Sequence, residues 1–399
     1  MQEHSRIPSQ VERAAGSAAE IVAETAAEGS AQKKAALEKA IRKAQDKAGR
    51  APRNEPFLPR DRASALIQAA MDQRVREARA AGAAVGPESA GDEFLFSKID
   101  PLWTTVLGSL IGKWLTPDAK FLSKPELTAP IAIENQTTIA LFSDWGTGRP
   151  PAVSVAHEIT QRDAEYMIHL GDIYYAGMDE EIDERFLSKL PTSTRLKRRF
   201  SLNGNHEMYS GGHGYFGKVL PALGQPASYF CLENDHWRII GLDTAHKDED
   251  LRNPQLEWLS ALVSQGDGRR NIVLSHHQLF SCFEKARDRV LGKVGPLLDA
   301  GLIHAWFWGH EHKHIVYQKH RGMLARCIGH GAIPDFPPPT NLRHPEFRVQ
   351  FVNRRMRQDS VQGINGFAVM KLDGAKLDVD YVDEDGFVPF RENLDREIG

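Results

Sequence analysis

From about residue 130 onward, short apolar runs alternate with polar, glycine-bearing breaks and with stretches of helical period. The runs 138–142, 166–170, 199–202, 237–242, 271–274 and 303–308 are four to six residues long and dominated by apolar side chains. Such runs suit strands buried on both faces. Between them, 255–263 and 288–298 repeat their apolar positions every three or four residues, and Pro254 would open the first of these helices. Strands that alternate with helices predict a largely parallel sheet. The stretch 366–382 instead alternates strictly around Asp373-Gly374, which predicts a β-hairpin. Both halves fit an α/β (α+β-type, four-layer) fold with two mixed β-sheets sandwiched between helices.

The first third reads differently. Residues 1–95 are alanine-rich and charged, with strong helix formers and almost no aromatics. Acids prevail over 1–30 and bases over 31–53, where Leu37, Ile41, Ala44 and Ala48 form a narrow helical stripe. Pro52, Pro56 and Pro59 break that stripe, 62–81 predicts another helix and 82–91 a loop. The pattern fits a solvated helical arm, or a helix that docks on a partner protein, a membrane surface or the chain's own catalytic domain. The apolar face is mostly alanine rather than Leu or Phe, which argues against lipid. Between 94 and 122, Leu102, Trp103, Val106, Leu107, Leu110, Ile111 and Leu115 recur at helical spacing and predict a packed helical segment. The expected organisation is an arm over 1–95, a helical packing segment over 96–130 and a catalytic domain over 131–392.

Composition changes this picture little. An apolar content of 41% is ordinary for a globular protein, and a net charge of -3 argues against a dedicated nucleic-acid binder. Cys231, Cys282 and Cys327 form no CxxC pair, so neither a zinc ribbon nor a disulfide framework is expected. Free cysteines, no visible secretory signal and no span-length apolar stretch together make the cytoplasm the expected location. Histidine is the unusual residue: twelve of sixteen fall between His206 and His330, which points to a metal or proton-handling site.

The candidate chemistry hangs at the ends of the apolar runs. Ser-Asp144-Trp-Gly146, Gly171-Asp172-Ile-Tyr-Tyr175, Gly204-Asn205-His206-Glu207, Ser-His276-His277, Gly309-His310-Glu-His312 and Gly329-His330-Gly331 follow one another in that order. Alone, each has an ordinary explanation: a helix cap, a turn, an exposed loop. Together they offer carboxylates, an amide oxygen, imidazoles and a phenol at the strand exits, where ligands converge in such sheets. That inventory suits two metal ions held side by side.

These motifs resemble the calcineurin-like metallophosphoesterase superfamily, and within it the purple acid phosphatase branch. The branch pattern Asp-x-Gly, Gly-Asp-x-x-Tyr, Gly-Asn-His-Glu/Asp, a strand-end His and Gly-His-x-His is met in full between about 135 and 385. Gly146 stands where most of the superfamily carries His, and the branch replaces the lost imidazole with a tyrosine. The resemblance therefore implies that Asp144, Asp172, Tyr175 and His312 hold a ferric ion. It implies that Asp172 also bridges to a divalent ion (Zn2+, Mn2+ or Fe2+) held by Asn205, His276 and His310. His206 would assist the leaving group, His277 would be a supporting neighbour or an alternative to His276, and His330 and His314 would line the pocket. The implied activity is hydrolysis of a phosphate-ester small molecule or nucleotide, with a monoester preferred and a diester or nucleic-acid substrate as the alternative. An effector whose arm binds a protein partner is the reading from a different class. The arginines of 341–362 fit either a solvated face or a substrate-phosphate contact.

Overall fold

A computed structural model describes residues 62–80, 117–123, 128–284, 288–333, 335–358 and 360–395. The predicted stripe over 31–53 and the helix over 102–115 lie outside these residues. Among the described residues, fourteen strands form two sheets. The first holds eight strands in the order β1 (Ile131–Ala132), β5 (Phe230–Glu233), β6 (Trp237–Leu242), β7 (Arg270–Ser275), β8 (Ala305–Trp308), β10 (Leu324–Ile328), β9 (His314–Tyr317) and β11 (Val349–Val352). The second holds six, in the order β14 (Phe390–Asn393), β13 (Lys376–Asp383), β12 (Gly366–Asp373), β2 (Gln136–Phe142), β3 (Tyr166–His169) and β4 (Arg198–Ser201). β6, β7, β8 and β10 run parallel, as do β2, β3 and β4. β12 and β13 form the hairpin expected around Gly374.

The sheets meet face to face through Leu141, Ile168 and Phe200 on one side and Ile239, Ile272 and Phe307 on the other, all buried. Because both faces of the parallel strands are covered, those strands lack polar alternation. The outer face of the first sheet takes α3 (Gln255–Val263) and α4 (Asp288–Asp299), with Leu259, Val263, Val290 and Val294 against Ile240, Val273 and Trp306. Pro254 precedes α3 as its cap. The outer face of the second sheet takes α2 (Pro150–Gln161), whose Val155 and Ile159 meet Ala140, Met167 and Val369. The four layers agree with the expected architecture.

Two pieces of the N-terminal third are packed on this sandwich. α1 (Arg62–Ala80) buries Ala65, Leu66, Ala69 and Asp72, positions that fall on one helical face. Residues 117–123, inside the segment expected to be helical, have no regular secondary structure. They are held by Ala119, whose N–H donates to Gly211 and whose carbonyl accepts from His246, and by Phe121 stacked on Tyr229.

Candidate metal centre

The parallel strands of both sheets end at one edge of the sandwich, and every candidate motif begins there. β2 stops at Phe142 and Asp144 follows; β3 leads to Asp172, β4 to Asn205 and His206, β7 to His276 and His277, and β8 to His310 and His312. Four of these residues have left-handed backbone: Asp144 (φ 54°), Asp172 (φ 75°), His310 (φ 66°) and His312 (φ 52°). That conformation costs on the order of 1 kcal/mol for a residue with a Cβ, so it is kept where the surroundings impose it. Close backbone approach is needed too. A methyl group on Gly204 would come within 2.5 Å of the Asp172 nitrogen. One on Gly309 would lie 2.6 Å from an Asp144 oxygen.

Backbone amides aim the two buried carboxylates. The His310 N–H donates to Asp144 Oδ2 at 2.9 Å, and the His206 N–H donates to Asp172 Oδ1 at 3.0 Å. The Asp172 N–H itself donates to both oxygens of Glu207, at 3.1 Å each. Burial, and then the Asp172 charge, push the Glu207 carboxyl well above its usual range. This role for Glu207 escaped the sequence reading, although the residue sits in the Gly-Asn-His-Glu motif.

The remaining donors face those carboxylates. His276 Nε2 lies 3.3 Å from Asp172 Oδ1, 3.0 Å from Asn205 Oδ1 and 3.3 Å from His310 Nδ1. His312 Nε2 lies 3.4 Å from Asp144 Oδ1. His276 Nδ1 meets the Leu170 carbonyl at 3.0 Å. A carbonyl only accepts, so Nδ1 carries the hydrogen and Nε2 turns its lone pair to the site. Asn205 donates from Nδ2 to Tyr209, which leaves its oxygen facing inward. Burial lowers the His276 imidazole, but the Asp172 carboxylate outweighs it and raises the group to about 9. Burial raises the Asp172 carboxyl, and His276 and His206 outweigh that to hold it well below the usual carboxylate range. Packed anionic oxygens and inward imidazole lone pairs are a donor set that fits cations. Asp144, Asp172 and His276 make one possible three-ligand group and His276, His277 and His310 another, each with its ligand atoms within 4.8 Å.

The tyrosine departs from expectation. Tyr174, not Tyr175, meets the carboxylates: its hydroxyl donates toward Asp144 Oδ1 at 3.0 Å and Asp172 Oδ2 at 3.1 Å, and lies 3.3 Å from His312 Nε2. Tyr175 turns to the opposite side, where the Arg185 guanidinium lies 5.2 Å from its ring centre and the Asp72 carboxylate is close enough to raise its phenol after burial has done so. Two adjacent residues of this loop face opposite sides, so a one-residue slip exchanges which phenol enters the site.

Three histidines complete the surroundings. His206 Nδ1 contacts the Tyr175 carbonyl at 2.6 Å, which by the same logic makes Nδ1 the protonated nitrogen; its Nε2 is 3.8 Å from Asp172 Oδ2. His277 Nδ1 meets Thr244 Oγ1 at 3.0 Å, with its ring 4.8 Å from that of His310. His330 stacks on His314 at 5.1 Å, and both border a small recess together with His312, Asn353, Arg355 and Phe336. The arginines expected as alternatives for phosphate contact are largely engaged elsewhere. Arg355 pairs with Asp383 and Asp385, Arg357 pairs with Glu384, and Arg354 donates to the Pro339 carbonyl.

The sequence profile of the calcineurin-like phosphoesterase family matches residues 137–314, a span that runs from β2 through the Gly-His-x-His motif. This part of the chain is similar to the calcineurin-like phosphoesterases, the resemblance that its motifs carry. Human (Homo sapiens) tartrate-resistant acid phosphatase type 5 is 23% identical over 276 residues, which cover 61% of this chain and 83% of that protein. A purple acid phosphatase from yellow lupin (Lupinus luteus) seeds shares the fold with a TM-score of 0.50 and 15% identity, over 65% of this chain and 53% of the lupin chain. Among the described residues, no helix is long and apolar enough to cross a membrane.

Proposed function

We propose that the chain hydrolyses phosphate monoesters at a dinuclear metal centre of the purple acid phosphatase type. The observation that carries this reading is the convergence of two buried carboxylates, an amide oxygen, a phenol and three imidazoles at one sheet edge, with neighbouring donor atoms 3.0–3.4 Å apart. Asp144, Tyr174 and His312 would hold one ion, Asn205, His276 and His310 the other, and Asp172 would serve both. Tyr174 takes the role first expected of Tyr175. Its phenol is pushed well above the usual range by burial and by Asp144 and Asp172, so only a strongly charged cation replaces its proton. That supports ferric iron on the tyrosine side and a divalent ion on the other. When bound, such a pair supplies positive charge for the phosphoryl oxygens and lowers the pKa of water.

The chain's own residues do the rest. The amides of His206 and His310 keep the carboxylates pointed at the site, so little reorganisation accompanies the reaction. His206, its Nδ1–H tied to a carbonyl, has Nε2 as the atom able to hold a proton for the leaving oxygen. His277, turned by Thr244, buttresses His276 and His310, and His330 forms part of the pocket wall. Three buried free cysteines support a reducing compartment, and with it the cytoplasm, as the location.

The test is hydrolysis of para-nitrophenyl phosphate beside bis(para-nitrophenyl) phosphate, with metal content measured on the same preparation. The reading expects monoester turnover, two metal ions per chain and a visible absorption band that Tyr174→Phe removes and Tyr175→Phe leaves. A preference for the diester overturns the substrate class, and a band lost only in Tyr175→Phe restores the first tyrosine assignment.

A further inference from the structure

The loop that carries Tyr174 is fastened from outside the phosphoesterase domain. Its backbone is held on one side by the Tyr174 N–H, which donates to the Gly146 carbonyl at 3.0 Å. On the other side the buried Glu181 carboxylate accepts from the N–H groups of Tyr175, Ala176 (2.9 Å) and Met178 (3.1 Å). A further anchor, beside the His206 contact with the Tyr175 carbonyl, is Arg185, whose Nη1 donates to the Tyr174 carbonyl at 2.9 Å.

Arg185 is buried, and two carboxylates neutralise it. Glu181 lies 3.7 Å away and is already committed to the three amides, whereas Asp72 of α1 forms a direct ion pair and hydrogen bond with Nη2. Burial lowers the guanidinium's pKa, and Asp72 first, then Glu181, more than restores it. Arg76 of the same helix reaches the Asp72 carboxylate at 3.1 Å, and Arg149 approaches it at 4.0 Å. Asp72 is itself only 7% exposed, so a charge brought from 113 residues away has been placed inside the domain. A solvated surface pair would carry little weight; a buried one fixes geometry through the cost of leaving its partner uncompensated.

We infer that Asp72 is a positioning residue for the metal-facing phenol, acting through Arg185 and the Tyr174 carbonyl, so that α1 completes a site whose ligands all lie in the phosphoesterase domain. The inference rests on the reading of Tyr174 as a ligand. The route is short: carboxylate to guanidinium, guanidinium to the carbonyl of Tyr174, and from that residue's backbone to a hydroxyl 3.0 Å from Asp144. Supporting groups of this kind hold a ligand's orientation and contribute to metal retention as well as turnover.

The experiment compares full-length Asp72→Ala, Asp72→Asn, Asp72→Glu and Glu184→Gln with the parent protein. It measures kcat, KM, metal retained after a fixed chelator challenge, and melting temperature. Asp72→Ala is expected to lower kcat and metal retention by about 10-fold, within the range for supporting residues, with KM little changed. Asp72→Asn and Asp72→Glu should recover part of both. Glu184→Gln loosens the same helix at its outer contact with Arg76, leaves the Asp72–Arg185 pair in place, and should leave both unchanged. Tyr174→Phe runs in parallel. Retention lost in Tyr174→Phe but kept in Asp72→Ala, whatever the melting temperature, overturns this inference alone. Retention kept in Tyr174→Phe overturns the ligand reading, and the inference with it.

Discussion

The segment 172–178 has an inner side and an outer side, and different parts of the chain hold them. Inside, Asp172 and Tyr174 meet loops from β2, β7 and β8, supplied by the sheet's own topology. Outside, Tyr175 and the Tyr174 carbonyl meet Arg185, Arg149 and the α1 carboxylate Asp72. The inner contacts are crowded oxygen and nitrogen donors that call for cations. The outer contacts are ion pairs that are already balanced. The lesson is that one side of this loop can do chemistry because the other side has no charge left to satisfy.

Removing a donor from the inner side should have the largest effect. Asp172→Asn takes a charge from the position proposed to serve both ions and should reduce kcat by about a thousandfold or more, with loss of bound metal; steady-state kinetics and metal analysis read it. An Asp172→Asn protein that keeps both metal ions and near-parental turnover would break the inner half of the comparison. Next, His206→Gln should lower kcat by about a hundredfold and leave metal content intact, since its ring lies beside the carboxylates without completing the donor set. Equal loss of metal would make His206 a ligand instead of a proton carrier. Gly309→Ala brings a methyl group against Asp144 and Ser143, and should destabilise the protein by about 1–3 kcal/mol as well as weaken metal retention.

The outer side is probed more gently. Leu66→Ala empties a buried position on α1 and should weaken the helix's docking by about 2 kcal/mol, visible as faster hydrogen exchange in α1 while the sheet amides keep their protection. Exchange that accelerates equally in β2 and β3 would mean that the helix belongs to the core and the comparison is drawn in the wrong place. Glu184→Gln removes a largely exposed pair with Arg76 and should cost less than about 1 kcal/mol by thermal melting.

What could be read from the sequence follows the same division. Strand-end ligands are legible because buried apolar runs announce their own ends, and Asp144, Asn205, His276, His310 and His312 lie where those ends put them. The tyrosine register is not legible. Tyr174 and Tyr175 are adjacent and identical in type, and the loop's direction is set by Glu181 and Arg185, several residues downstream. The docking of α1 is hidden for another reason. Its buried face is mostly alanine, which makes a weak stripe, and its decisive residue is an acid whose partner is 113 residues distant. Strands such as β9 and β10 are harder to read because buried His314 and Arg326 interrupt their apolar runs.

The most direct test of the central claim is a metal titration of chelator-stripped protein, followed at each addition by para-nitrophenyl phosphate hydrolysis. The account predicts that activity returns only as the second equivalent binds, and that Asp172→Asn recovers none of it. Full activity at one equivalent, or without metal, would contradict a paired centre at this sheet edge.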